Sequence, residues 1–163
     1  MMRNRSQLLA LATAVLMIGS PGRASGQADN DSSTAVATAQ RLLDAINKAD
    51  TALARSLLLP GSQFISFRLG AATPRVMPDS AFVRSLAARR EKNLERMWAP
   101  IVHVAGSIAT VWAPYDFYID GRFSHCGIDT FTMMKTPKGW SIVSVAYSVE
   151  PYGCPPSPLG PPK

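Results

Sequence analysis

A chain of 163 residues, 47% hydrophobic and with a net charge of +6, is long enough for one domain that buries about two-thirds of its unfolded surface. Its basic residues are interleaved with acidic ones, as in Arg89-Arg90-Glu91-Lys92. This pattern is typical of a solvated helix face and argues against a nucleic-acid partner. No Gly-rich phosphate loop, Walker motif, zinc-ligand spacing or nucleophile elbow is present, so we expect neither a metal nor a cofactor.

Residues 1–28 have the pattern of a secretory signal peptide. Arg3 and Arg5 form a basic start, an uncharged apolar run covers residues 8–19, and small residues follow. The run of about 12 residues is too short for the ~20 that span a bilayer, so we expect cleavage near residue 28 and no membrane anchor. Cleavage would remove three arginines and no acid, which lowers the net charge from +6 to +3. The mature protein is then expected to be secreted or periplasmic.

The first half of the mature chain predicts three helices and one strand. Apolar residues recur at helical spacing after Ser32 and Ser33, and the acids Asp50 and Asp79 are placed to cap two further helices. Pro60-Gly61 ends the second of these helices. The predicted helices cover residues 32–49, 51–58 and 79–91, and alternating residues predict a strand over 63–69.

From Leu94 onward the apolar period is two, which predicts strands over 94–104, 108–119, 122–136 and 140–149. Asp120-Gly121 favours a two-residue hairpin turn, and Pro137 to Gly139 is interpreted as a three-residue turn. Because the connections are short, consecutive strands are expected to pair antiparallel. Residues 29–150 thus form the domain. Residues 151–163 contain six prolines and form an extended tail.

This order of elements resembles the nuclear transport factor 2-like fold over about residues 33–150. That α+β fold is a cone, in which a curved antiparallel sheet of four long strands plus a short one is closed by about three helices. Two segments are similar to the last hairpin of exported SnoaL-like members: GRFSHCGIDTF (121–131) and TPKGWSIV (136–143). The superfold hosts isomerases, dehydratases, cyclases, hydrolases, carriers and adaptors, so the resemblance implies a cone pocket without naming a reaction. A homodimer is compatible with it.

Counting side chains outward from the two turns predicts which residues line the cone. Pairing of Ile119 with Arg122 puts Asp116 opposite His125, because side chains alternate with period two. The three-residue turn puts Asp129 opposite Tyr147, with Phe131, Val143 and Val145 buried. A bulge would swap the faces beyond it. The predicted concave face carries a polar and aromatic set from three strands: Trp112, Asp116, Tyr118, His125, Asp129, Phe131 and Tyr147.

Asp129 is the leading candidate for a catalytic carboxylate, since desolvation on an apolar face raises the pKa of an acid towards that of a general acid or base. The alternative is a structural carboxylate satisfied by Tyr147. Asp116 and His125 form either an acid–base dyad or an ion pair at the rim. The candidate ligand contacts are aromatic: Trp112, Tyr118, Phe131 and Tyr147.

Cys126 and Cys154 are a candidate disulfide in an oxidising compartment. The same register places Cys126 opposite Glu150 on the outer face, and Pro151-Tyr152-Gly153 can turn the chain back onto that strand end. We therefore expect a bridge that pins the tail across the sheet, with two free thiols as the alternative.

Two functions of different classes stay open, and the sequence does not decide whether the protein is an enzyme. The first is an exported module that binds a small apolar or amphipathic molecule in the cone. The second is a cofactor-free isomerase, dehydratase or cyclase that uses Asp129 with Tyr147 or His125. The sequence favours the binding module, because the polar set lacks a complete acid–base constellation.

Overall fold

Three helices and seven strands are present in residues 22–162, the part of the chain that the computed structural model describes. The helices are α1 (Gly22–Lys48), α2 (Thr51–Leu57) and α3 (Asp79–Ala88). The strands are β1 (Leu58–Arg68), β2 (Arg75–Pro78), β3 (Asn93–Met97), β4 (Ile101–Ala105), β5 (Ile108–Ile119), β6 (Arg122–Thr136) and β7 (Gly139–Val149). The first 21 residues of the predicted leader lie outside the described part, so the signal peptide stays a prediction.

The helix caps were predicted correctly at one of three positions. Asp50 caps α2, since its carboxylate accepts a hydrogen bond from Leu53 N at 2.9 Å. The predicted cap at Ser32 and Ser33 is wrong, because α1 begins at Gly22 and the Ser33 hydroxyl donates back to a carbonyl of the preceding turn. Asp79 is the first residue of α3 rather than its cap. That helix ends at Ala88, three residues earlier than predicted.

The sheet is mixed, with the strand order β2-β1-β7-β6-β5-β3 and β4 also paired to β5. The β5–β6–β7 meander is antiparallel as predicted, whereas β1 runs parallel to β7 and carries β2 at the edge. The predicted single strand over 94–104 is two strands. Ala99, with a φ of 43°, breaks it, and β3 and β4 pair with different halves of β5.

Two bulges decide which side chains face the helices. The Asp-Gly turn gives the predicted pair Ile119–Arg122, but Ser124 is then an extra residue, so that His125 lies opposite Phe117 instead of Asp116. At the second hairpin the predicted turn is wrong, because Thr136 pairs with Gly139 across a two-residue turn.

Val143 is an extra residue in β7 and compensates for that shorter turn. The predicted pairs Asp129–Tyr147 and Phe131–Val145 are therefore confirmed. The predicted burial of Val143 is wrong, since it is half-buried.

The core lies between the concave face of the sheet and helices α1 and α3. Leu42 and Leu43 of α1 and Leu86 of α3 are at most 1% exposed and pack in one cluster with Phe131 of β6. The start of the packed part of α1 is fixed to the last hairpin through Asp31. Its carboxylate binds the Lys135 ammonium at 2.6 Å, and its carbonyl accepts from the indole of Trp140. Packing of this amphipathic helix, rather than its intrinsic propensity, closes the cone.

The disulfide Cys126–Cys154 is present, and Cys126 pairs with Glu150 as predicted. The tail beyond Pro151 contains neither helix nor strand up to residue 162, and it lies on the convex face of the sheet. Arg96 holds it a second time by donating a hydrogen bond to the Gly160 carbonyl at 2.9 Å.

A disulfide of this separation, 28 residues, stabilises a fold by ~3–4 kcal/mol in the chain-entropy account.

The disulfide is compatible with a secreted or periplasmic protein. No helix within residues 22–162 combines the length and apolarity needed to cross a membrane.

Candidate functional site

A cavity of about 370 Å³ opens between the concave face of the sheet and helices α1 and α3. Along β1 and β6 its lining changes from apolar near the helices to polar or charged towards solvent, whereas on β7 the polar Tyr147 lies between two valines. Since every second residue of a strand faces the cavity, each of these strands contributes a short series. The series are Phe64, Ser66 and Arg68 on β1; Phe131, Asp129 and His125 on β6; and Val145, Tyr147 and Val149 on β7.

Two carboxyl groups face each other on the wall of this cavity. Asp129 on β6 is 2% exposed and Glu95 on β3 is 8% exposed, and their side chains are in hydrogen-bonding contact. Asp129 Oδ2 has no N–H or hydroxyl partner in the described part of the chain. Since carboxylate oxygens only accept hydrogen bonds, this contact requires a proton. The two groups therefore form a carboxylic acid hydrogen-bonded to a carboxylate.

Burial is the main cause of the shifted pKa of both groups. It raises the pKa of Asp129 well above the usual range, and the nearby charge of Glu95 raises it further. Burial also raises the pKa of Glu95 to about 7, although the hydrogen bond from Asp129 and the charge of Arg89 oppose this. The pair therefore takes up or releases a proton close to neutral pH.

The backbone of Glu95 is fixed by a side chain of α1. Asn47 accepts a hydrogen bond from Glu95 N at 2.6 Å and donates one to Glu95 O at 3.0 Å. Strand β3 has only five residues, so its hydrogen bonds to β5 alone would hold it weakly. The two hydrogen bonds to Asn47 hold this strand in place as well. The carboxyl of Glu95 is thereby held in a defined position next to Asp129.

His125 is a neutral hydrogen-bonding group in this cavity. Its ring stacks on Phe117 at 4.8 Å between centroids and meets the Tyr115 ring edge-on at 5.7 Å, and Nδ1 lies 3.0 Å from the Ser124 hydroxyl. Burial, aided by the charge of Arg68, lowers the pKa of His125 to about 4. The imidazole is therefore uncharged at neutral pH.

Tyr147 lies directly across the strands from Asp129. Ser66 is its partner on the parallel strand β1, and burial raises the pKa of Tyr147. It therefore remains a protonated phenol that can donate a hydrogen bond into the cavity. Among residues 22–162, no group of three or more His, Cys, Asp or Glu side chains is arranged to hold a metal ion.

No family model matches the chain, and no curated protein matches its sequence. Solved structures do resemble it. A nuclear transport factor 2-like superfamily protein from Salmonella enterica serovar Typhimurium is 22% identical, with a TM-score of 0.63 over 77% of this chain and 95% of that one. A proposed dehydratase of the same family from Streptomyces avermitilis is 19% identical, with a TM-score of 0.64 over 74% of this chain and 96% of that one.

The chain has the nuclear transport factor 2-like fold. A third structure with a TM-score of 0.64 is a proposed aromatic ring hydroxylase from Novosphingobium aromaticivorans, 17% identical over 74% of this chain and 90% of that one. At such identities the likeness establishes the fold, and the SnoaL-like branch stays a prediction.

Within this nuclear transport factor 2-like cone, the predicted positions of Trp112, Asp116 and Tyr118 are wrong. The extra residue Ser124 moves the register of β5 by one, so all three side chains lie on the convex face. Asp116 is 2% exposed there and binds the Arg96 guanidinium through both carboxylate oxygens, which excludes a dyad with His125. Trp112 is 39% exposed, and the ring of Tyr118 lies under the Arg96 guanidinium at 5.2 Å.

The other predicted site residues do converge in the cone: His125, Asp129, Phe131 and Tyr147 all line the cavity. Their neighbours from β5 are Tyr115 and Phe117, the residues that the bulge turns inward. The sequence pattern also missed Glu95 and Arg89, because the interleaved acids and bases around them were interpreted as a solvated surface. That prediction is wrong because α3 ends at Ala88, and the short strand that follows directs Glu95 into the cone.

Gly127 allows the backbone of β7 to approach β6 closely at the open end of the cone. The Tyr115 hydroxyl reaches past this glycine and donates a hydrogen bond to Ser148 O at 2.7 Å. A Cβ atom on Gly127 would lie 2.2 Å from that same carbonyl oxygen and 2.7 Å from the Ser148 hydroxyl. Only glycine therefore fits between the two strands at this point.

Gly127→Ala is expected to lower the free energy of unfolding by ~1–3 kcal/mol, as over-packing typically does, because the obstacle is backbone and cannot rotate away. Urea denaturation of the variant measures the loss. The double variant Gly127→Ala/Ser148→Ala is the control, since it removes the hydroxyl and leaves the carbonyl oxygen. Full recovery of stability in the double variant would show that the side chain of Ser148, and not its backbone, sets the limit.

Proposed function

We propose that this protein binds a small molecule in the cone and transfers a proton on it with the Glu95–Asp129 pair, acting as a cofactor-independent isomerase or lyase. The observation that carries the proposal is a contact between two carboxyl groups, 2% and 8% exposed, on the wall of a cavity. Neither carboxyl is in a salt bridge within residues 22–162. Burying two uncompensated acids is costly, and this cost favours a functional role for the pair.

The pair supplies an acid and a base side by side. In an isomerisation, the carboxylate would take a proton from one carbon and the carboxylic acid would deliver one to a neighbouring atom. In a dehydration, the carboxylate would take a proton from the carbon next to the one bearing a hydroxyl, and the acid would protonate that hydroxyl as it leaves as water. A proton acceptor with a pKa near the working pH suits either step. The Tyr147 phenol and the neutral His125 ring can hold a substrate oxygen by hydrogen bonds.

A binding protein is the second candidate, and the depth of the pair favours it. Asp129 is almost completely buried, so a ligand can reach it over only a small surface. In that case the pair serves as a hydrogen-bonding group in an apolar pocket. For either function we place the mature protein outside the cytoplasm, which the predicted leader and the Cys126–Cys154 bridge support.

A carbon acid with a coloured product tests the proton-transfer function. A base opens 5-nitrobenzisoxazole by removing one proton from carbon while the N–O bond breaks, and the phenolate that forms is coloured. The wild-type protein is expected to accelerate this reaction above the buffer rate, with a rate that rises as the doubly protonated pair releases its first proton near pH 7. Asp129→Asn and Glu95→Gln are each expected to lower the rate more than tenfold.

Glu91→Gln is the matched control, because Glu91 is an exposed carboxylate four residues away and lies outside the cavity. It is expected to keep the wild-type rate. If Asp129→Asn changes the affinity for the probe and leaves the rate unaltered, the protein is a binding module. If rate, affinity and melting temperature all stay unchanged, the site lies elsewhere in the fold.

A further inference from the structure

Three arginines line the mouth of the cone: Arg68 at the end of β1, Arg75 at the start of β2 and Arg89 directly after α3. Arg68 and Arg75 are exposed, and Arg89 is half-buried. Both salt bridges found in the described part of the chain lie elsewhere, so none of these guanidinium groups is paired with a carboxylate. The mouth therefore carries positive charge that an anion can bind.

The three side chains converge on the cavity. Arg68 contributes to the lowered pKa of His125, and Arg75 opposes the raised pKa of Tyr147. Arg89 in the same way opposes the raised pKa of Glu95. Each guanidinium thus acts on a different group of the lining, as expected when three charges surround one opening.

The floor of the cone is apolar. It is formed by side chains of α1, α3 and three strands: Leu42, Ile46, Phe64, Phe82, Phe131 and Val145. Phe64 and Arg68 lie four residues apart on β1, which places floor and mouth ~13 Å apart at ~3.3 Å per residue. The volume of about 370 Å³ is at the lower end of the range for small-molecule sites.

The Glu95–Asp129 pair lies on the wall between floor and mouth. When it carries one negative charge, it repels an anion from the interior and leaves the arginines as the favourable position. A ligand with one charged end and one apolar end is therefore oriented with its charge outward, and its middle lies next to the two carboxyl groups.

The geometry points to a compact amphipathic organic anion as the ligand of this cone, an apolar body about 10 Å long that carries one carboxylate, bound with the carboxylate between Arg68 and Arg75. This inference rests on the proposed function, because it uses the same cavity and names the class of molecule that enters it. It requires no chemical step.

A matched pair of probes tests it. Octanoate and 1-octanol have the same chain length and differ in charge, and titration calorimetry measures the Kd of each. The wild-type protein is expected to bind octanoate at least tenfold more tightly than octanol. Arg68→Gln/Arg75→Gln is expected to weaken octanoate binding at least tenfold and to leave octanol binding within about twofold. Arg84→Gln, at an exposed arginine of α3 outside the cavity, is expected to keep the preference.

The inference is overturned if octanol binds as tightly as octanoate, if the double arginine variant keeps the preference while its melting temperature is unchanged, or if neither probe binds. Its failure can be told apart from failure of the proton-transfer function. Asp129→Asn should keep the preference for octanoate even where it abolishes ring opening of 5-nitrobenzisoxazole. Selective octanoate binding by a protein that does not open that probe would support the inference and contradict the catalytic function alone.

Discussion

Asp129→Asn is expected to make the folded protein more stable than the wild type above about pH 7, because it removes one of two buried carboxyl groups whose pKa is raised in the folded state. Between the ordinary carboxyl pKa and about pH 7, both carboxyls of the folded wild type hold protons that the unfolded chain has already released. Stability from such raised groups is fully present below the unfolded pKa, and it is lost as pH rises through the folded one. Asparagine does not titrate, so the variant loses only the part of this stability that the buried Glu95 contributes, and its amide can donate a hydrogen bond to Glu95.

His125 contributes a slope of the opposite sign at lower pH. Its pKa is lowered from 6.5 to about 4, so the unfolded chain binds more protons than the folded one in that interval and stability rises with pH. Below about pH 6.5 the slope from His125 opposes the slope from the carboxyl pair. Above about pH 6.5 only the carboxyl pair still contributes. The effect of the carboxyl pair is therefore best measured between about pH 6.5 and pH 9.

Urea denaturation of both proteins at several pH values in that window measures the difference. The wild type should lose stability with rising pH while Asp129→Asn loses less, and Glu91→Gln should follow the wild type. Parallel curves for wild type and Asp129→Asn would show that the pKa of Asp129 is not raised in the folded protein, which contradicts the protonated pair.

Local chemistry made most of the meander predictable. Asp120 has a φ of 50° and Gly121 a φ of 76°, the positive values that a tight hairpin requires, so the Asp-Gly pair marked the turn correctly. Alternation then gave the correct faces for β6 beyond Ser124 and for β7 beyond Val143. These elements could be predicted because the turn and the two-residue period depend on neighbouring residues alone.

The direction in which the β5 side chains point could not be predicted by counting residues from the turn. One extra residue in the partner strand β6 reverses the result of that count. Ser124 is left unpaired, and the ring of His125 then stacks on Phe117 next to the buried Tyr115. That arrangement depends on packing between strands, and nothing in the segment FSHCG marks it. The predicted partners of His125 and the positions of Trp112 and Asp116 were wrong for this single reason.

Glu95 was out of reach for a different reason. Its sequence neighbours are charged, so composition assigned it to a solvated surface. Its burial follows from three contacts that only the folded chain brings together: the hydrogen bonds to Asn47, the pairing of β3 with β5, and the Asp129 carboxyl. The position of Asp129 could thus be predicted from the strand pattern, whereas the position of Glu95 depends on the tertiary structure.

Two phenylalanines on β6 give the sharpest test of the bulge. Phe123 and Phe131 lie eight residues apart, so a strand without interruption would direct both into the cone. With Ser124 as an extra residue they lie on opposite faces. Phe131 is fully buried in the core and lines the floor of the cavity, whereas Phe123 is 47% exposed on the convex side.

Phe131→Ala is therefore expected to lower the free energy of unfolding by ~3–5 kcal/mol, the usual cost of removing a buried ring and leaving a cavity. Phe123→Ala, the matched control on the same strand, should cost less than ~1 kcal/mol, since its ring keeps about half of its surface in water and makes one edge contact with Tyr118. Urea denaturation with the disulfide intact measures both. Equal losses of several kcal/mol would show that both rings lie in the cone and that Ser124 is not an extra residue. The inward positions of Tyr115 and Phe117 would then be wrong as well. A large loss for Phe131→Ala alone fixes the register on which every wall residue of the cavity depends.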